Sequence, residues 1–266
     1  MKVDVLRQTE QPERLVCQAA RGDYFEGYVG DTEYAELMED VSWDESDLDG
    51  LVDIPDWMEA DIRSYKNGDS PLSEETIVEA QTKSFIEKQL SRGHYGPWEH
   101  PSISFAVEGV SRVTMAQITR HRHMTFDIQS MRYADFSEQE IVTPKSLTEG
   151  TLSREKGVTD VESREKLEQL YEMFIEDMVE FYERMVRNGV PKEDARFFLP
   201  QAAPVNMTFS ANPRSLMHFF DLRKNMKAQW EAREFATQVL DECLEWAPLT
   251  FEGYEEYINN NSLRAP

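Results

Sequence analysis

The sequence predicts a helix-rich α+β fold, a single domain over residues 1–266 with a central, mainly antiparallel sheet. Three observations predict it. Several windows repeat apolar residues at helical spacing between recognisable caps, one central run alternates with the two-residue period of a strand, and no internal repeat interrupts the pattern. With 40% hydrophobic residues, the chain has the apolar material of an ordinary globular core.

Residues 26–62 are strongly acidic and read as a solvated, insertion-like excursion holding one short helix. A helix follows over 73–92, where Ser73 can cap, Glu74 and Glu75 suit the first turn and Gly93 stops it. Between Pro101 and Glu108 the alternation of Ile103, Phe105 and Val107 predicts a strand. Ser111 can cap the next helix, expected to carry Gln117 and Arg120 on one face. After a polar segment to about Ser163, the longest helix lines up Leu167, Leu170, Phe174, Met178, Phe181 and Met185, and Asn188-Gly189 ends it. That stripe is expected to be core. Pro191 opens a short helix closed by Pro200, and Asn212-Pro213 starts another as N-cap and N1. A last helix spans about 227–244, and residues 255–266 form a polar tail.

The formal net charge is -23, from 51 acids against 28 lysines and arginines. Such a surface repels nucleic acid and anionic membranes, and it suits a salty medium that screens its own repulsion. No apolar run of about 18 residues is present, and the N-terminus lacks a secretory pattern. Cys17 and Cys243 are too few for a disulfide framework, so a soluble cytoplasmic protein is expected.

Positive charge survives in two islands. Gly109–Tyr133 holds Arg112, Arg120, Arg122 and Arg132 against Asp127 alone, and a second island runs from Ala195 to Arg233. Charge alone leaves two readings open, a local anion site and a pair of salt-bridged interface segments. Within the first island, Arg120-His121-Arg122 is followed by Ser130-Met131-Arg132, whose hydroxyl and guanidinium stand two apart and can grip one phosphate. In the second, Arg214 and His218 share a helix face beside the capping Asn212, where backbone N–H groups are free to meet an anion. His94-Tyr95-Gly96-Pro97-Trp98-Glu99-His100 invites a metal reading with His121 and His123, but its spacing matches no zinc pattern, so no metal is expected. A loop packing Pro97 and Trp98 under a planar ligand and a structural turn are the other readings of this segment.

Arg120-His121-Arg122, seven residues, then Ser130-x-Arg132 resembles the signature of the flavin-dependent thymidylate synthases. Supporting blocks occur in order: Ala19-Ala20-Arg21, the Pro-Trp-Glu-His segment, Glu108 to Arg112, Ala195-Arg196 with Leu199-Pro200, Asn212 to Leu216, and His218 to Arg223 leading to Ala228-Gln229. They cover most of the chain. The resemblance implies a homotetramer with active sites between subunits. It implies reductive methylation of dUMP to dTMP, with 5,10-methylenetetrahydrofolate as carbon donor, FAD as hydride carrier and NADPH as reductant, releasing tetrahydrofolate.

Carried over residue by residue, the resemblance assigns His94, Gly96, Arg120, His121, Arg122, Asn212, Arg214 and His218 to FAD. It assigns Gln117, Arg120, Gln129, Ser130, Met131, Arg132, Arg196 and Arg223 to the nucleotide. Arg223 is the implied catalytic residue, polarising the uracil ring, because a fixed guanidinium stabilises charge as it develops on the carbonyl and N3. Neither cysteine lies in a block, and Ser130 has no evident general base, so Ser130 is read as a ligand. This chain departs from the family at Asp127-Ile128, where Asn-Glu is common, and at Gly96, where Thr is common. Two rival readings use the same residues: a metal-dependent nucleotide hydrolase built on the histidines, and a nucleotide-binding regulatory module without turnover.

Overall fold

The computed structural model describes residues 1–48, 72–133, 140–149 and 160–252. Four strands form one antiparallel sheet in the order β1-β2-β4-β3. They are β1 (Lys2–Gln8), β2 (Ile103–Ser111), β3 (Thr125–Ile128) and β4 (Pro204–Ala211). Alternation assigns the faces. Val3 on β1, Ile103, Phe105 and Val107 on β2, and Val205, Met207 and Phe209 on β4 are buried. The intervening Asp4, Ser104, Glu108, Thr208 and Ser210 stand on the other face, where Ser104 and Ser210 hydrogen-bond at 2.7 Å. Between Val107 and Val110 the β2–β4 register slips at a bulge. Gly109 sits there at φ 75°, a conformation open to glycine, and its N–H donates to Asn206 Oδ1.

The main helices are α1 (Pro12–Arg21), α2 (Tyr34–Met38), α3 (Glu74–Arg92), α4 (Arg112–Ile118), α5 (Val161–Arg187), α6 (Pro213–Arg223) and α7 (Trp230–Trp246). Their caps act where the sequence places them. Ser73, Ser111 and Asn212 each accept a hydrogen bond from the backbone N–H three residues on, and Gly93 ends α3 in the left-handed conformation. The buried sheet face packs on α6 and α7 through a chain of rings: Phe105 stacks on Phe209, which meets Phe235, which meets Phe219. Trp98 is fully buried in this core and donates to Thr250 Oγ1 at 3.2 Å. It is a structural anchor, which removes the reading of a ring lying under a planar ligand.

Several expectations are corrected. The stripe of α5 is not core within this chain: Leu170, Phe174 and Phe181 are 59%, 63% and 46% exposed. Only Tyr182 of that helix is buried, in a small satellite cluster with Met131, Ala195, Leu199 and Ala203. The spacing reports an apolar face, and the described residues leave it largely exposed. α4 ends at Ile118, so Arg120 stands in the turn after it rather than on one helical face with Gln117. α7 begins at Trp230 and not near Lys227, because Gln229 supplies the cap by accepting from the Ala232 N–H. The expected excursion over 26–62 is described as far as residue 48, and the tail over 255–266 lies outside the described residues. Among the described residues, no helix is long and apolar enough to cross a membrane.

A buried carboxylate joins two helix starts. Glu231, 2% exposed, accepts from the Ser111 N–H at 2.6 Å, the Ser111 hydroxyl at 2.5 Å and the Thr114 hydroxyl at 2.8 Å. It thereby fixes the first turn of α4 against the first turn of α7, where both helix dipoles favour negative charge.

Glu13 ties α1 to the segment after α7 by accepting from the Thr250 N–H at 2.7 Å. Burial pushes its carboxyl from 4.5 up to about 7, against the opposing hydrogen bonds from Thr250. The folded chain therefore keeps a proton that the unfolded chain releases, and stability is lost as pH rises from 4.5 to 7. The loss is on the order of 3 kcal/mol. Glu13→Gln is expected to flatten this part of the stability profile, read by urea unfolding at constant salt from pH 4 to 8. A profile parallel to wild type would remove Glu13 as its source.

Candidate functional site

Two local structures build the central cavity. The turn after α4 is tight, with the His121 N–H on Ile118 O and the Met124 N–H on His121 O, and it presents Arg120, His121 and Arg122. Opposite, Pro213 at N1 and Asn212 at the cap start α6, and Ser215 Oγ donates to His123 O at 3.3 Å to join the two. Between them lies a cavity of about 810 Å³. Arg120, His121, Arg122, Asn212, Arg214, His218 and Arg223 all line it, so most of the residues expected at a cofactor come together with the expected catalytic arginine. Arg214 and His218 lie one turn apart on α6 and both face it. Four guanidiniums and the N-terminus of an eleven-residue helix make this an anion-attracting space.

His121 is 7% exposed, and its Nε2 accepts from Arg223 Nε at 3.0 Å. Burial, followed by repulsion from Arg223 and His218, pushes its pKa down to about 4. The ring is thus neutral near pH 7, with its proton on Nδ1. Arg223 also donates through Nη2 to Gln117 O at 2.7 Å. Burial and the nearby Arg120 lower the pKa of Arg223. Two of the five guanidinium donors are used in holding it, which leaves three for a ligand.

One acid enters the cavity. Glu99 Oε1 meets Arg214 Nη1 at 2.5 Å. Its segment was singled out in the sequence, but the pairing was not, because no local pattern links positions 115 residues apart. His94 and Gly96 precede Glu99 in the same segment and do not line the cavity. His94 Nδ1 is paired with Gln89 Oε1 at 2.9 Å. The Gln117 side chain turns back to Val113 O.

A second group gathers elsewhere on the chain. Gln129 follows β3, its N–H on Asn206 O at 2.8 Å, and leads into the turn of Ser130, Met131 and Arg132. Arg132 Nε meets Glu193 Oε2 at 2.8 Å, and Arg196 Nε donates to Glu193 O at 2.9 Å. None of these residues lines the cavity beside Arg120. The residues expected at the nucleotide are therefore divided, Arg120 and Arg223 in one place and Gln129 to Arg132 with Arg196 in another. Among the described residues, no three His, Cys, Asp or Glu side chains gather as a metal site.

The family model described as thymidylate synthase complementing protein matches residues 4–249. The flavin-dependent thymidylate synthase of Halobacterium salinarum is 38% identical over 276 aligned positions, covering 99% of both chains. That of Haloarcula marismortui is 38% identical over 277 positions, with the same coverage. The crystal structure of a UMP/dUMP methylase, PolB from Streptomyces cacaoi bound with 5-Br dUMP, superposes with a TM-score of 0.66. The match covers 96% of this chain and 94% of that one at 20% identity, a shared fold.

Proposed function

This chain belongs to the thymidylate synthase complementing protein family, the flavin-dependent thymidylate synthases, and from that premise we propose that it methylates dUMP to dTMP. In this reading methylenetetrahydrofolate donates the carbon, NADPH is the reductant and tetrahydrofolate leaves. The whole chain, 1–266, acts as one catalytic domain. The observation that carries the reading is the cationic cavity, with Arg223 held rigidly against a neutral His121. The dinucleotide FAD suits it chemically, because Arg120, Arg122, Arg214 and the start of α6 oppose a diphosphate. His121, Asn212 and His218 complete the lining, and in this reading His94 and Gly96, which precede Glu99 in its segment, also serve the flavin. When bound, the flavin supplies the hydride and the methylene-transfer chemistry.

The protein's own part is binding and electrostatics. Gln117, Arg120, Gln129, Ser130, Met131, Arg132 and Arg196 hold the nucleotide. Arg223 directs its free donors at the uracil carbonyl and N3, where negative charge develops. The separation of the two residue groups on the protomer supports sites completed between copies. The uncovered stripe of α5 supports the same assembly, a homotetramer. The net charge of -23 supports work in a salt-rich cytoplasm.

The test is tritium release from C5-labelled dUMP by protein purified in high salt and supplied with FAD, NADPH and methylenetetrahydrofolate. Release that needs all four components is expected. Tight dUMP binding without release would instead favour a regulatory module, and the proposed activity would be abandoned.

Gly96 offers a local check. A Cβ there meets nothing within 4 Å, so Gly96→Thr is accommodated. The added hydroxyl is expected to tighten flavin binding by about 2- to 10-fold, the worth of one net hydrogen bond. Fluorescence titration with FAD reads it, and unchanged affinity would place Gly96 away from the flavin.

A further inference from the structure

We propose that Arg112 is an additional anion-binding residue of the nucleotide site, joining Ser130, Arg132 and Arg196 in a clamp for a phosphate monoester. The proposal rests on the functional reading above and adds a residue that this reading does not use.

Arg112 is the first residue of α4, and its backbone N–H is fixed on Ala203 O at 3.1 Å. From there its guanidinium reaches residue 131, and Nη1 donates to the Met131 sulfur at 2.8 Å. A thioether is a weak acceptor, a poor match for a charged donor. Met131 lies between Ser130 and Arg132 in the chain, so the contact brings Arg112 to the turn that carries both. Arg132 and Arg196 meet there as well, through the carboxylate and the carbonyl of Glu193.

The charge around this point does not balance. Among the described residues, Glu193 serves Arg132, and no carboxylate pairs with Arg112 or Arg196. Arg112 is half-buried, and burial together with repulsion from Arg196 lowers its pKa. Arg112 and Arg196 thus adjoin as two guanidiniums with no carboxylate between them among the described residues. A dianionic phosphate removes the repulsion and replaces the sulfur with strong acceptors. Its terminal oxygens match forked guanidinium donors and one hydroxyl. The ligand class is therefore the phosphate of a nucleoside monophosphate, separate from the diphosphate suited to the cavity beside Arg120.

Calorimetric titration with dUMP, deoxyuridine and inorganic phosphate tests this on the full chain in constant salt. Arg112→Gln is expected to weaken dUMP binding by about 10- to 100-fold, the range for a lost charge-assisted pair. Deoxyuridine affinity should be unchanged, and Arg112→Lys should fall between. A loss shared equally by nucleotide and nucleoside would mean that Arg112 only supports the fold, and unchanged dUMP affinity would equally overturn the proposal. Inorganic phosphate separates the two readings. If wild type holds phosphate through Arg112 but ignores dUMP, the thymidylate synthase reading fails while the anion site stands; equal phosphate affinity in both proteins removes the site.

Discussion

Arg223→Ala is expected to cut turnover by about 10²- to 10³-fold, the cost of deleting one preorganised donor to developing charge, while the flavin remains bound. The geometry explains why the effect should be on turnover. Arg223 spends Nε on His121 and Nη2 on Gln117 O, and these two contacts lock the plane of the guanidinium before any ligand arrives. The remaining donors then need no reorganisation when charge builds on the ring. Arg120, Arg122 and Arg214 still line the cavity in the variant and still oppose a diphosphate. Arg223→Lys should recover little, because an ammonium cannot bond His121, Gln117 and a ring together with a planar fork. A second readout is independent of turnover. Repulsion from Arg223 is one of the causes holding His121 near 4, after burial, so the variant should raise the His121 pKa, measurable by NMR. Wild-type turnover in Arg223→Ala would take the catalytic role away from this residue.

Phe174→Asp is the second large effect. Phe174 is 63% exposed, in line with Leu170 and Phe181 on α5, and Phe181 meets Phe198 edge-on at 5.0 Å to extend the patch. An aromatic ring buried between copies contributes about 1.5–3 kcal/mol each time it recurs, and a carboxylate in its place costs more. Light scattering after size exclusion should show a mass below that of the proposed tetramer. Turnover should drop at least about tenfold with it, since closed symmetric assemblies repeat each contact and the two residue groups then lose each other. A variant that stays tetrameric with full activity would move the interface elsewhere.

Much of the fold is legible because caps are local. Ser73, Ser111 and Asn212 announce helices through side chains that reach only three residues along the chain. The sheet was half read. β4 carries Val205, Met207, Phe209 and Ala211 in clean alternation, yet it sits between Pro204 and Asn212-Pro213, and those helix and turn signals mask it. β1 has two inward valines and leans on β2 for the rest of its definition. The α5 stripe shows a different limit: a period tells that a face is apolar, not what covers it. At the site, the arginines, His218 and Asn212 were legible from charge and spacing. The pairing of Glu99 with Arg214 and the approach of Arg112 to Met131 join positions far apart in sequence, so nothing local could announce them.

The Glu231 junction has a consequence for how this sequence can drift. Ser111→Ala on its own would strip the carboxylate of one hydroxyl donor, and Glu231→Leu on its own would leave the Ser111 and Thr114 hydroxyls and one N–H facing a hydrocarbon. Either single step is heavily penalised, and replacing the acid and both hydroxyls together still leaves the Ser111 N–H and the capped Thr114 N–H without their acceptors. Positions 111, 114 and 231 therefore form one unit of inheritance, expected to stay together as they are.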